Sequence, residues 1–306
     1  MSEVGDREAR AHLPVLADEV TFLLRPRRGG WVVDGTVGMG GHAERLLEAD
    51  DVRVRLLGLD ADPEALRRAQ QRLARFGDRV VLRHGSFRHL AALAADARIE
   101  EAAAILLDLG LSSYQLDESA RGFSFHGDEA LDMRFDPSRG PTAADLLNGL
   151  SREELARVIF EYGEERHARR IARRIAERRQ RGPLARTGDL VAAVKDAVPR
   201  AAWPRRIHVA TRTFQAIRMA VNDEALALTE ALPQAASLLA RGGRFGVISF
   251  HSGEDRIVKR SFRFLQQEGG YVELEPSPVQ PGADEILYNA RARSAKLRVL
   301  ERLEAA

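Results

Sequence analysis

The sequence predicts an α/β fold: a parallel sheet wound with helices and interrupted by a large helical insert. Three observations carry this. Short apolar runs alternate with helical patterns over the first hundred residues, no strand-like run occurs over about 117–222, and the strand–helix alternation then returns.

Trp31-Val-Val-Asp34 is the first apolar run, and it ends at a glycine cluster followed by a helical pattern over 42–49. Arg55-Leu-Leu-Gly-Leu-Asp60 is the second, after which Asp62-Pro63 opens a helix with Asp at the N-cap and Pro at the first helical position. Val80-Val81-Leu82 is a third strand. Residues 103–109 are a fourth, apolar throughout, as a strand buried on both faces should be. In the insert, Ser151-Arg-Glu-Glu154 is a capping box ahead of Leu155, Val158 and Ile159. Residues 164–181 form a strongly basic helical stretch, and 189–198 have helical apolar spacing. Beyond the insert, 223–240 read as a helix broken at Pro233, and Arg244-Phe-Gly-Val-Ile-Ser-Phe250 reads as a fifth strand. Ser252, with Asp255 three residues on, suits the cap of the next helix. Tyr271 to Leu274 and Lys296 to Leu300 suit a terminal strand pair. The α/β domain therefore comprises 1–116 and 218–306, and the helical domain 117–217. Residues 1–10 are polar and mixed in charge, with no apolar core, which predicts a short frayed tail rather than a secretory signal.

Composition narrows the chemistry. The 306-residue chain has no cysteine, which excludes disulfides, thiolate metal sites and a cysteine nucleophile. No metal site is expected. Without a signal or a long apolar span, a cytoplasmic location and no membrane partner are expected. The formal net charge is only +2, and of the 47 basic residues only Lys195, Lys259 and Lys296 are lysine. Arginine suits phosphate contact and base stacking, but the charge balance alone does not require a nucleic-acid partner.

Asp34-Gly-Thr-Val-Gly38-Met-Gly40-Gly41-His42 joins a strand to a helix. Its glycines permit a sharp turn and close approach to a ligand, and the helix start offers unpaired amides. Asp60 ends the next strand, where a carboxylate can accept both hydroxyls of a ribose. S-adenosylmethionine and a nicotinamide dinucleotide both fit these features, because Gly38 to Ala43 also follows the dinucleotide fingerprint. Asp108 ends the fourth strand at the ligand-binding edge of the sheet. The segment after it, Asp108-Leu-Gly-Leu-Ser-Ser113, lies where amino-methyltransferases hold a target nitrogen.

Several longer motifs accompany these: Arg121-Gly-Phe-Ser-Phe125, Leu131-Asp-Met-Arg134, Glu161-Tyr-Gly-Glu-Glu-Arg166, Thr211-Arg-Thr-Phe-Gln215, Ile248-Ser-Phe-His-Ser252 and Asp255-Arg-Ile-Val-Lys-Arg260. Together they resemble the RsmH/MraW family of ribosomal RNA cytosine-N4 methyltransferases, almost end to end, from His12-Leu-Pro-Val-Leu16 to Leu297-Arg-Val-Leu-Glu-Arg302. The resemblance implies a class I (Rossmann-like) methyltransferase domain with an inserted all-helical domain for RNA recognition. It implies S-adenosyl-L-methionine as cofactor and 16S ribosomal RNA, or the small ribosomal subunit, as partner. The implied product is an N4-methylated cytidine in the decoding centre. Carried over motif by motif, Gly40, Gly41 and His42 contact the methionine end of the cofactor. Asp60 contacts the ribose, Phe87 the adenine, and Asp108 and Gln115 complete the cofactor set. Asp108, or the carbonyls of the turn after it, is further expected to accept hydrogen bonds from the amine, the alternative being that Asp108 serves the cofactor amine alone, while His208 and Arg212 are expected to face the target nucleotide or its phosphate. Tyr114, Val209 and Gly253 depart from the family pattern. Three rivals stand beside this: a nicotinamide oxidoreductase, a ribosome-assembly factor without turnover, and a methyltransferase acting on DNA or a free nucleotide. The sequence leaves the oligomeric state open, a homodimer included.

Overall fold

A computed structural model of the protein describes residues 14–26, 29–49, 54–125 and 127–304; the expected tail at 1–10 and the first two residues of the His12 motif lie outside them. After α1 (Ala17–Leu24), the chain alternates β1 (Gly30–Asp34), α2 (Gly41–Glu48), β2 (Val54–Asp60), α3 (Pro63–Leu73), β3 (Val80–His84), α4 (Leu90–Asp96) and β4 (Ala102–Asp108). Six helices follow: α5 (Ser113–Asp117), α6 (Ala143–Gly149), α7 (Arg152–Gly163), α8 (Ala168–Arg179), α9 (Thr187–Ala197) and α10 (Thr211–Val221). The alternation then resumes with α11 (Glu224–Leu238), β5 (Leu239–Ser249), α12 (Ser252–Glu268), β6 (Tyr271–Glu273), α13 (Ala283–Tyr288) and β7 (Lys296–Arg302). The chain forms two compact units. One runs through Gly110 and resumes at Ala225, and the other is Leu111–Glu224.

In the first unit all seven strands form one sheet in the order β3-β2-β1-β4-β5-β7-β6. The pairs from β3 to β5 are parallel, whereas β7 runs antiparallel to both β5 and β6. This is the class I methyltransferase sheet, and its strand order reverses between β1 and β4. At such a point the loops leaving the two strands diverge and open a crevice at their carboxyl ends. The central strands are buried on both faces. Val33, Leu57, Ile105 and Leu107 join one core cluster with α11 side chains, and Val32, Leu56, Ala104 and Leu106 join another with α1 and α2.

Local chemistry sets the helix ends. The Asp62 side chain accepts a hydrogen bond from the Glu64 amide at 3.1 Å, with Pro63 behind it. Two expectations need correction. The helix across Pro233 is not broken: α11 runs through it, because Ala227, Leu228, Ala231, Leu232, Ala235 and Ala236 form a continuous buried stripe while Pro233 itself is exposed. The missing amide therefore costs a hydrogen bond on the solvent side, where water can replace it. The cap of α12 is His251 rather than Ser252. The His251 Nδ1 accepts from the Glu254 amide at 3.3 Å, and Glu254 Oε2 accepts from the amides of Phe250 (2.8 Å) and His251 (3.3 Å). Gly253 makes this possible, since a Cβ there would meet the His251 ring at 3.2 Å.

In the second unit, α7, α8 and α10 bury Leu155, Ile159, Ile171, Ile175, Phe214 and Ile217 in a single core. Ser151 caps α7 through the expected box, accepting from the Glu154 amide while Glu154 Oε2 accepts from Ser151. The basic stretch becomes α8, and α7 before it ends at Glu164 in the left-handed conformation. Val209 is part of this core, and Tyr114 lies beneath the Arg121 guanidinium at 5.9 Å.

Gly163 marks a close approach between α7 and α10. A Cβ there would sit 2.5 Å from the Arg212 carbonyl oxygen, a backbone atom with no freedom to give way. Alanine gains about 1 kcal/mol of helix propensity over glycine, but overpacking costs about 1–3 kcal/mol. Gly163→Ala is therefore expected to lower the unfolding free energy, measured as an earlier denaturation midpoint in urea. A later midpoint would show that the helices separate freely.

Candidate active site

The crevice between β1 and β4 gathers Gly40, Gly41, His42, Asp60, Phe87 and Asp108. Each is placed by backbone geometry. The loop after β1 must turn sharply, and Gly38 (φ 51°) and Gly40 (φ 84°) adopt the left-handed conformation that makes this possible. Gly40 is the N-cap of α2, and the first intrahelical bond runs from the Glu44 amide to its carbonyl. The amides of Gly41, His42 and Ala43 thus lie at a helix N-terminus, where an anionic group is favoured. Gly35 leaves room for neighbours, since a Cβ there would lie 2.5 Å from Leu107 Cδ2 and 3.2 Å from the Phe87 Cβ. Phe87 is thereby held against the loop, half-buried on the core cluster.

Asp60 closes the loop from the β2 side. Its Oδ2 accepts from the Gly38 amide and its Oδ1 from the Asp62 amide, both at 2.8 Å. Each carboxylate oxygen retains a second lone-pair site, enough to accept the two hydroxyls of a ribose. Burial pushes the Asp60 carboxyl up to about 6, against the two amides, which lower it.

Asp34 and Thr36, which the sequence motif contains without indicating a role, organise the β1–β4 side. Asp34 is buried, and its Oδ1 accepts from the Thr36 amide at 3.1 Å. Thr36 Oγ1 accepts from the Asp108 amide at 2.6 Å, which joins the two strand ends. Burial raises the Asp34 carboxyl to about 7; His42 and the Thr36 amide pull it down, and Asp108 and Asp60 push it further up. The His42 Nε2 lies 3.6 Å from Asp108 Oδ2. Both ring nitrogens of His42 and Oδ1 of Asp108 are buried with no hydrogen-bond partner among the described residues. Polar atoms left in this way call for a polar ligand.

The donor set fits S-adenosylmethionine. Its carboxylate suits the α2 amides and His42, its diol suits Asp60, and its cationic sulfonium suits a crevice holding Asp34, Asp60 and Asp108. The pyrophosphate of a dinucleotide would instead bring two negative charges beside those carboxylates, an unfavourable arrangement in a low-dielectric site.

Gln115, His208 and Arg212 belong to the helical unit. Gln115 is buried and works in a capping box, with Oε1 accepting from the Ser112 amide at 3.0 Å and its own amide donating to Ser112 Oγ at 3.2 Å. His208 stacks on Phe125 with ring centroids 4.6 Å apart, and its Nδ1 accepts from the Ala210 amide at 3.2 Å. Arg212 is exposed on the first turn of α10.

The raised Asp34 pKa makes a stability prediction. An acid titrating near 7 when folded and near 4 when unfolded holds an extra proton in the native state between those values. Its contribution is therefore present below about pH 4 and is lost as pH rises through about 7. Asp34→Asn removes this dependence. In urea unfolding, the variant's stability relative to wild type should rise by about 2–4 kcal/mol between pH 4 and pH 8. An unchanged difference would show that Asp34 is not held protonated.

The chain matches the MraW methylase family over residues 9–303. It is 50% identical to a ribosomal RNA small subunit methyltransferase H of Syntrophotalea carbinolica, over 97% of this chain and 99% of that protein. It is 49% identical to the protein of the same name in Geobacter sulfurreducens, over 96% and 99%. Among solved structures, an rRNA methylase from Streptococcus thermophilus has a TM-score of 0.44 at 13% identity, covering 94% of each chain; that overlap adds nothing to the sheet order. With nearly its whole length matched and about half its residues shared with these relatives, the chain belongs to the MraW methylase family and is an S-adenosyl-L-methionine-dependent methyltransferase.

Proposed function

We propose that the protein methylates the exocyclic N4 amine of a cytidine in the 16S RNA of the small ribosomal subunit, at the decoding centre. The observation that carries the chemistry is Asp108: a carboxylate at the end of β4, with Oδ1 buried and unpartnered among the described residues, beside the loop suited to the cofactor. The relatives named as small-subunit ribosomal RNA methyltransferases support the substrate class.

The N4 amine is a weak nucleophile because its lone pair is delocalised into the ring. The bound cofactor supplies an electrophilic methyl group on a sulfonium. The protein's work is to align the amine with that methyl and to exclude water. Methyl transfer would release the cofactor's sulfide with the bonding pair, so the step left to this chain's own residues is to take the proton that the amine sheds. Asp108 accepts hydrogen bonds from the amine, which favours the tetrahedral nitrogen, and takes up the proton. Gly40, Gly41 and His42 hold the methionine end, Asp60 the ribose and Phe87 the adenine. Gln115 acts through its loop, and His208 and Arg212 meet the target nucleotide or its phosphate.

Residues 117–217 serve RNA recognition in this reading, with α8 as a phosphate-binding face. Its arginines divide by geometry. Arg179 donates to the carbonyls of Leu147 (3.1 Å) and Leu150 (2.6 Å), and Arg178 and Arg174 pair with Asp196 and Glu177. Arg169 and Arg170 are exposed, with no carboxylate partner among the described residues. They suit phosphates, which position a substrate without specifying its base.

The deciding experiment is methyl transfer from labelled S-adenosylmethionine to small ribosomal subunits lacking the modification, followed by nucleoside analysis. N4-methylcytidine is the expected product; label on another nucleoside would overturn the target. Asp108→Ala is expected to lose on the order of 10²-fold or more in turnover, and wild-type rates in that variant would refute its role. The Arg169→Ala, Arg170→Ala double variant should bind RNA more weakly and flatten the plot of log K against log salt by roughly 0.7–0.9 per lost contact. An unchanged slope would move the phosphate-binding face elsewhere.

A further inference from the structure

Glu285 lies far along the chain from the loop after β1, yet it is bonded to the turn that packs on that loop. Glu285, on α13, accepts a hydrogen bond from the Leu16 backbone amide through Oε1 at 2.8 Å. Leu16 is the N-cap of α1 in the left-handed conformation (φ 54°, ψ 37°), which a side chain of its kind adopts only where its surroundings hold it. The residue is fully buried, so its amide has no water to fall back on and needs this acceptor.

The turn held in this way reaches the cofactor loop. The Pro14 ring lies against Gly41, its carbons 3.4–3.5 Å from where a Cβ would stand. Gly41 opens α2 and precedes His42. Two further ties keep α1 beside α2. Asp18 pairs with Arg45 at 2.8 Å, and Val15, Leu16 and Val20 share a core cluster with Ala43 and Leu46. The charged groups around the Glu285 carboxyl are Asp18, Glu19 and His42. Burial raises its pKa and the two acids add to that, while the Leu16 amide and His42 oppose it. A carboxylate set among acids gains nothing from its charge neighbours on α1. Among the described residues, its favourable contact there is the Leu16 amide.

We propose that Glu285 is a positioning residue of the cofactor site: by fixing Leu16 it holds Pro14 against Gly41 and preorganises the turn from Gly40 to His42 that receives the methionine end of the cofactor. The proposal rests on the roles given above to Gly40, Gly41 and His42. A preorganised loop spends less binding energy on ordering, so the effect falls on cofactor affinity rather than on the chemical step.

The test compares full-length wild type with Glu285→Ala, Glu285→Gln and Pro14→Gly. Three quantities are read: S-adenosylhomocysteine affinity by calorimetry, hydrogen exchange of residues 14–24 without ligand, and the split between KM and kcat. Alanine removes the acceptor, whereas glutamine keeps a carbonyl oxygen at nearly the same reach. Glu285→Ala should speed exchange in residues 14–24, weaken S-adenosylhomocysteine binding by about tenfold and raise the cofactor KM to match, with kcat at saturation within about twofold. Glu285→Gln should stay within about threefold of wild type in affinity. Pro14→Gly should weaken binding as alanine does, while leaving the Glu285–Leu16 bond in place. Wild-type affinity in Glu285→Ala or in Pro14→Gly would overturn the proposal, and so would glutamine behaving like alanine. Should the alanine variant not fold, the glutamine and Pro14→Gly variants still decide. Wild-type protein unable to bind S-adenosylhomocysteine would instead overturn the cofactor roles on which the proposal rests.

Discussion

Asp34, Asp60 and Asp108 end three neighbouring strands, and keeping three acids at one sheet edge is the constraint to which the rest of the crevice answers. Two of them are driven well above the ordinary carboxylate range by burial. The loop offsets this with its own backbone. The amides of Thr36, Gly38 and Asp62 turn inward onto Asp34 and Asp60, which the chain achieves only because Gly38 and Gly40 accept left-handed geometry. His42 lowers the Asp34 pKa and lies within ion-pair distance of Asp108. What remains is a crevice short of positive charge, edged by a helix N-terminus that favours a negative group. A zwitterionic methionine end with a sulfonium meets both demands at once. In the proposed reading, the acids that are costly to the fold are the ones that select the cofactor.

Much of this was legible in the sequence, because buried parallel strands read as unbroken apolar runs. Val32, Leu56 and Ile105 lie in such runs and are fully buried in the sheet. The insert was legible as a stretch without strands, and the Ser151 box as a pattern with a direct geometric meaning. The misreadings have physical causes. Pro233 looks like a break until the buried stripe on the opposite face is seen to hold the helix through it. Ser252 looks like the cap of α12 until Gly253 is seen to leave space for the His251 ring over the first turn. Asp34 carries no sign in the sequence that it will be buried beside His42, since that proximity depends on how a loop folds back on its own strand. The Glu285–Leu16 bond joins residues 269 positions apart, beyond any periodicity argument.

Composition misleads in an instructive way. A net charge of +2 suggests a chain indifferent to charged partners. The structure shows instead two strong local biases that nearly cancel in the sum, an acidic sheet edge in one unit and an arginine-rich helix in the other. Helical periodicity then sorts the arginines. In α8, Ile171, Ala172 and Ile175 face the core, Arg179 is drawn inward to close the end of α6, and Arg169 and Arg170 are left outward. Removing Arg179 would take a donor from the partly buried carbonyls of Leu147 and Leu150, whereas removing Arg169 would cost the fold little. Charge runs therefore carry functional meaning only after the structural share has been subtracted.

The same subtraction applies to the proposed site residues. Gln115 and His208 both make hydrogen bonds to nearby backbone: Gln115 caps α5, and His208 Nδ1 is fixed by the Ala210 amide over the Phe125 ring. Such bonds do not compete with function. In the proposed roles, they hold each side chain in one orientation and so reduce the ordering left to be done on binding. A neutral His208 whose Nδ1 accepts must carry its proton on Nε2. Asp108 differs from both: its amide is held by Thr36, while its side-chain Oδ1 has no partner among the described residues. A backbone fixed by the sheet, with one carboxylate oxygen beside His42 and the other left unanswered, is the arrangement expected of a group that meets a ligand rather than one that serves the fold alone.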